Sequence, residues 1–211
     1  MKITKLGHCC LVIEDRGIKT LTDPGSWTTA QNEVRDIDVV LITHEHADHL
    51  HVDSVKTILK NNPAAKVFTN RGVGKILEKE GTPFELLEHS QSKTVGDVLI
   101  EGHGELHAPI YPTVPQVINT GYFISGRLFS PGDALYNPGK SVEILALPVA
   151  GPWVKISEAI DYAKTVKPKI AFPVHDGMLK IIGPYHRVPQ DTLSAAGIGF
   201  TVLPEGQETE F

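Results

Sequence analysis

The chain has 211 residues, 41% of them hydrophobic and 21% charged. That balance suits a globular, soluble fold with room for one sizeable core, or two small ones packed tightly. The formal net charge of −5 argues against a nucleic-acid partner gripped by phosphate neutralisation, and no run of about 18 apolar residues offers a membrane span. The opening Met1-Lys2-Ile3-Thr4-Lys5-Leu6-Gly7-His8 lacks the apolar core and small-residue cleavage site of a signal peptide, so a cytoplasmic location is expected. The only cysteines, Cys9 and Cys10, are adjacent. Neighbouring cysteines rarely bridge each other, and the run Cys9-Cys10-Leu11-Val12-Ile13 reads as buried core thiols.

Taken in chain order, residues 2–6, 9–14 and 18–22 read as consecutive antiparallel strands, with Glu14-Asp15-Arg16-Gly17 as a hairpin turn. Residues 38–43 form a buried strand. Val52, Val55, Ile58 and Leu59 fall on one face of a helix over 51–61, which Asn61-Asn62-Pro63 ends. A strand at 65–69 precedes a second short helix marked by Val73, Ile76 and Leu77 and closed by Gly81. Strands follow near 84–88, 97–106, 118–124 and 127–130, then an apolar run at 142–149. Ile156, Ile160, Ala163 and Val166 have helical spacing. Residues 169–174 form a strand, 191–196 a short helix and 198–203 a closing strand. The order suggests two halves of similar build, and Val40-Leu41-Ile42-Thr43-His44 echoes Ile170-Ala171-Phe172-Pro173-Val174-His175. Two sheets packed face to face with helices outside accommodate the pattern as one compact domain, 1–211.

The buried strand at 38–43 runs into His44-Glu45-His46-Ala47-Asp48-His49. Imidazole and carboxylate at this density suit a first-row divalent metal such as zinc. Alternate side chains at a strand end share a face, so His44 and His46 make a pair on one ion. Asp48 and His49, in the following loop or helix start, suit a second ion. A further ligand must come from His8, His51, His89, His103, His107, His175 or His186.

The run Thr43-His44-Glu45-His46-Ala47-Asp48-His49 resembles the signature of the metallo-β-lactamase superfamily, and later pieces appear in that family's order. Gly104-Glu105-Leu106-His107-Ala108 resembles the segment supplying a third histidine. Ser130-Pro131-Gly132-Asp133-Ala134 resembles the segment supplying a bridging carboxylate, and Phe172-Pro173-Val174-His175-Asp176 the final strand and histidine. Leu6-Gly7-His8-Cys9-Cys10-Leu11-Val12-Ile13 and Leu21-Thr22-Asp23-Pro24 match the small lactonase-like branch. The resemblance implies an α/β four-layer αβ/βα sandwich. It implies one metal held by His44, His46 and His107, another by Asp48, His49 and His175, and Asp133 bridging both. Zinc is the usual ion, with manganese or iron in some members.

Two such cations lower the pKa of a bridging water, making hydroxide available at neutral pH. Asp48 would orient that nucleophile, so Asp48 and Asp133 are the expected catalytic residues. No Gly-x-Ser-x-Gly elbow is present. The expected activity is metal-dependent hydrolysis of a small molecule, anionic ones included: a lactone, ester or phosphodiester. A thioester hydrolase, a metal-dependent sensor module on the same fold and a purely structural metal site are the alternatives. A homo-oligomer is possible; a nucleic-acid or membrane partner is not expected. Among the remaining residues, His103 competes with His107 for the metal. Asp23 either supports a ligand histidine or forms the turn before Pro24, and Glu45 and Ala47 point away. His51 opens a helix and His89 is exposed. Lys180, Tyr185, His186 and Arg187, after His175, either bind an anion or form a surface loop. Trp27 and Trp153 either shape a pocket or pack at its edge.

Overall fold

The computed structural model describes residues 1–211. Fourteen strands form two seven-stranded sheets of the same build. In the first, β1 (Lys2–Gly7), β2 (Cys10–Asp15) and β3 (Ile18–Thr22) form an antiparallel meander. It continues in parallel through β4 (Val39–Ile42), β5 (Lys66–Thr69) and β6 (Glu85–Leu86). In the second, β7 (Ser92–Val95), β8 (Val98–His103), β9 (Gly121–Ile124) and β10 (Leu128–Ser130) are antiparallel, then β11 (Ile144–Pro148), β12 (Ile170–Val174) and β13 (Gly199–Phe200) run parallel. The last strand, β14 (Glu208–Glu210), returns to the first sheet beside β1.

Three apolar clusters define four layers. Ile3, Leu11, Val39, Leu41 and Phe68 of the first sheet meet Ile100, Tyr122, Ile144, Ala146 and Phe172 of the second, so the central core lies between the sheets. The opposite face of the first sheet (Leu21, Val40, Ile42, Val67) is covered by α1 (Val52–Asn61) through Val55 and Ile58, and by α2 (Arg71–Lys79) through Val73 and Leu77. The outer face of the second sheet (Phe123, Phe129, Leu145, Leu147) is covered by α3 (Ile156–Val166) through Ala159, Ile160 and Ala163. Leu193 of α4 (Gly183–Ala195) completes that cover. Period-2 alternation in the strands and 3.6-residue spacing in the helices leave each apolar face one place to go, and the result is the αβ/βα sandwich. No helix is long and apolar enough to cross a membrane.

The structure departs from sequence expectation at the edges. β7 and β14, Ser92-Lys93-Thr94-Val95 and Glu208-Thr209-Glu210, carry little apolar signal because edge strands need none; their charges protect the open edge. The expected strand over 97–106 stops at His103. Residues 183–187, expected as part of a loop, begin α4: Pro184 falls in the first turn, where its missing N–H has no helical acceptor to lose.

Candidate metal centre

Every candidate donor follows the end of a strand, and the donors come from both sheets. β4 stops at Ile42, so His44, His46, Asp48 and His49 stand on a loop rather than a strand end. Strand alternation therefore does not aim His44 and His46; hydrogen bonds to the loop do. The Thr43 N–H donates to Asp23 Oδ1 (2.8 Å), and the Thr43 carbonyl accepts from the Thr120 N–H (2.9 Å) and Asn70 Nδ2 (2.8 Å). The N–H groups of His49 and Leu50 both donate to the His46 carbonyl, closing a turn. Gly25 lies so close beneath this loop that a Cβ there would collide with the Asp48 carbonyl.

The seven residues expected from sequence converge. Donor atoms of His44, His46, His107 and Asp133 lie within 4.8 Å of one another, as do those of Asp48, His49, Asp133 and His175, with Asp133 common to both sets. One Asp133 oxygen stands 2.9 Å from His175 Nε2 and 3.3 Å from His107 Nε2; the other stands 3.0 Å from His49 Nε2. His44 Nε2 and His46 Nδ1 are 3.1 Å apart, close to the roughly 3.3 Å between two nitrogens on one tetrahedral zinc. His49 Nε2, His107 Nε2, His175 Nε2 and Asp133 Oδ1 are buried without a hydrogen-bond partner. Orphaned lone pairs at this density are costly unless a cation takes them. The donor set fits a divalent metal.

On two of the rings, a bond on the far side fixes which nitrogen faces inward. His107 Nδ1–H donates to the Ala108 carbonyl and His49 Nδ1–H to Asp23 Oδ2 (3.0 Å), leaving both Nε2 lone pairs free. Asp23 is thus the support of a ligand-set histidine as well as a turn residue; its own backbone is left-handed (φ 41°). Asp133 is held by its N–H donating to Asn119 Oδ1 (3.0 Å), while Asn119 Nδ2 donates to the Pro131 carbonyl. Sequence reasoning missed Asn119, and no local pattern marks it.

Burial opposes ionisation of Asp133, but the imidazoles of His49, His107 and His175 carry it well below the usual carboxylate range. Burial and the adjacent His49 push His44 far down. Burial also works against protonated His175, yet Cys9, Asp133 and Asp48 raise it to about 10. Asp133 and Asp48 thus help draw a proton onto His175, a positive charge that a metal would replace.

His103 lies outside both sets, half-buried among Phe123, Phe129 and Tyr136. His51 stands exposed at the start of α1, bonded to Ser54. His89, expected on the surface, is half-buried and accepts from the Gly104 N–H (3.1 Å). Glu45 and Ala47 belong to neither set. Cys9 and Cys10 are buried and unbridged, but Cys9 also borders His8, His49 and His175. A cavity of about 250 Å³ opens on the donors, walled by Trp27, Ile110, Pro152, Trp153 and Met178. Its neighbour, a cleft of about 590 Å³, meets it at His107 and Trp153. Lys180, Tyr185, His186 and Arg187 line neither: His186 bonds Asp176 (2.8 Å), and Arg187 faces Asp191.

The profile of the beta-lactamase superfamily domain matches residues 2–175. The chain belongs to this superfamily. Protein Rv0786c of Mycobacterium tuberculosis (strain ATCC 25618 / H37Rv) is 34% identical to it, over the full length of both chains. A UPF0173 metal-dependent hydrolase of Carboxydothermus hydrogenoformans is 26% identical over 98% of each. Among solved structures, Igni18, a metallo hydrolase from the archaeon Ignicoccus hospitalis, superposes with a TM-score of 0.75. At 20% identity, it covers all of this chain and 98% of its own. This superfamily member therefore carries the metallo-β-lactamase fold.

Proposed function

We propose that this superfamily member is a metal-dependent hydrolase acting as a single catalytic unit. In this reading His44, His46 and His107 hold one divalent ion, Asp48, His49 and His175 hold another, and Asp133 is shared. The observation that carries the reading is the pair of donor sets meeting at Asp133, with donor atoms of His49, His107, His175 and Asp133 buried and unpartnered, at the floor of an open cavity. Donor chemistry favours zinc in the nitrogen-rich first set, while the second, richer in oxygen, also suits manganese or iron. When bound, such ions supply Lewis acidity and make water nucleophilic at neutral pH. Asp48, the donor carboxylate whose side chain keeps some exposure (14%), is placed to orient the attacking water and take its proton. Trp153, Ile110 and Met178 give the cavity apolar walls.

No Lys or Arg lines either the cavity or the cleft, whereas Glu105 and Glu158 line the cleft. That lining favours an uncharged carbonyl substrate, a lactone or ester, over the anionic one that the sequence allowed. The test is metal content by plasma mass spectrometry for wild type and His46→Ala, with turnover on lactones, esters and phosphodiesters before and after chelation. Two ions in wild type, fewer in the variant, and chelator-sensitive ester or lactone turnover are expected. A folded protein that takes up no ion from zinc, manganese or iron would overturn the proposal.

A further inference from the structure

Beyond the seven donors, one more buried imidazole reaches the centre. His8 sits where β1 and β2 lose register, after Lys5 and beside Gly7. Its backbone is left-handed (φ 47°), a conformation that a residue with a side chain keeps only when its surroundings enforce it. The ring is buried between Trp27 and His175, with centroids 4.4 and 4.2 Å away. Its Nε2 lies 3.2 Å from Asp48 Oδ2, and its Nδ1 accepts from the Gly177 N–H at 3.2 Å.

That last contact decides the tautomer. A backbone N–H can only donate, so Nδ1 must present its lone pair. The single proton of the neutral ring then sits on Nε2 and points at Asp48. The chain is shaped for this approach: a Cβ on Gly177 would press to 3.2 Å from both His8 Cβ and Nδ1. The same logic removes a rival reading. His8, Cys9, His49 and His175 also bring donor atoms within 4.8 Å of one another. His8 cannot give Nε2 to an ion there while Nδ1 accepts from Gly177, because the neutral ring has only one free lone pair.

We infer that His8 is a positioning residue, whose Nε2–H fixes the Asp48 carboxylate so that its remaining lone pairs face the Asp48–His49–Asp133–His175 donor set. The inference rests on the metal centre proposed above. Of the two donor carboxylates, Asp48 has more need of such a hold: its side chain is 14% exposed, against 3% for Asp133. His8 also ties the set together through its main chain, its carbonyl accepting from the His175 N–H (3.3 Å).

The experiment compares wild type with His8→Gln, His8→Asn and His8→Phe. Gln can place an amide donor near the Nε2 position, Asn can reach only the Nδ1 position, and Phe keeps the ring packing without a donor. Ion stoichiometry and affinity are measured by competition with a chromophoric chelator using zinc and cobalt, and the fold is checked by metal-free melting. Expected is a 10- to 100-fold weaker second ion in the Phe and Asn variants, the first ion unchanged, and recovery to within a few-fold in Gln. Equal second-ion affinity in wild type and a folded Phe variant overturns the inference and leaves the metal centre standing. If Phe does not fold, equal affinities in Gln and Asn overturn it. A wild type holding fewer than two ions overturns the centre itself, and the inference with it.

Discussion

Asp23→Asn isolates how much of the proposed second ion's binding depends on a residue that never touches it. Asp23 Oδ1 accepts from the Thr43 N–H at 2.8 Å, and its Oδ2 accepts from His49 Nδ1 at 3.0 Å. Asn preserves the first bond and turns an NH₂ toward the second, donor against donor. The reverse amide orientation sets the NH₂ against the Thr43 N–H and is no better. The way out is to move the His49 proton to Nε2, the nitrogen 3.0 Å from Asp133, where it blocks ligation. Loss of such a support weakens metal binding about 10- to 100-fold, or roughly 1.4–2.7 kcal/mol. Without metal, the switched tautomer keeps a partner at each ring nitrogen, and what is lost is the carboxylate's charge on the bond to Nδ1, about 1–2 kcal/mol, which for a chain of this size lowers Tm by about 2–8 °C. Asp23→Ala also orphans the Thr43 N–H and should cost about 1–3 kcal/mol more. Calorimetric zinc titration and metal-free thermal melts read both quantities. An Asn variant that binds both ions as wild type does, or Asn and Ala variants of equal stability, would refute the reasoning.

Two more outcomes follow from the same geometry. Lys5, buried in the first sheet, pairs with the equally buried Asp176 and donates to the Pro173 carbonyl (3.1 Å). Lys5→Met leaves a buried carboxylate short of its cation and should cost about 3–5 kcal/mol. Removing both charges with Lys5→Met/Asp176→Leu should recover much of that loss, and urea unfolding that ranks the double variant below the single one contradicts the account. His175, raised to about 10 in the metal-free protein, is protonated at pH 7 and must lose that proton to bind a metal. Metal uptake should therefore release protons, and affinity should rise about tenfold per pH unit for each proton released. Indicator-dye titration in weak buffer detects the release, and an affinity that stays flat between about pH 7 and 9 refutes it.

Local chemistry carried the sequence reading a long way. The density of imidazole and carboxylate from His44 to His49 marks a metal site without any tertiary knowledge, and the spacing of Ile156, Ile160, Ala163 and Val166 needs only the helical repeat. The resemblance to a known family added His107, Asp133 and His175, which no local rule distinguishes from other polar residues at turns. Where no strong local signal existed, tertiary structure decided. Edge strands β7 and β14 exist because a neighbour offers open hydrogen bonds, not because their sequences favour pairing. Pro189, inside the helix, speaks against it, yet α4 forms where Leu193 can seat itself in the outer core.

For the site, sequence determined which groups are present, and folding decided what each one faces. His103 and His107 are four positions apart and chemically alike; the end of β8 leaves one among aromatic rings and places the other beside Asp133. Asp23 becomes a partner of His49 across 26 positions, and Gly177 selects the His8 tautomer across 169. A proton's location on an imidazole depends on contacts within about 3 Å, and the chain order of residues so far apart carries no information at that range.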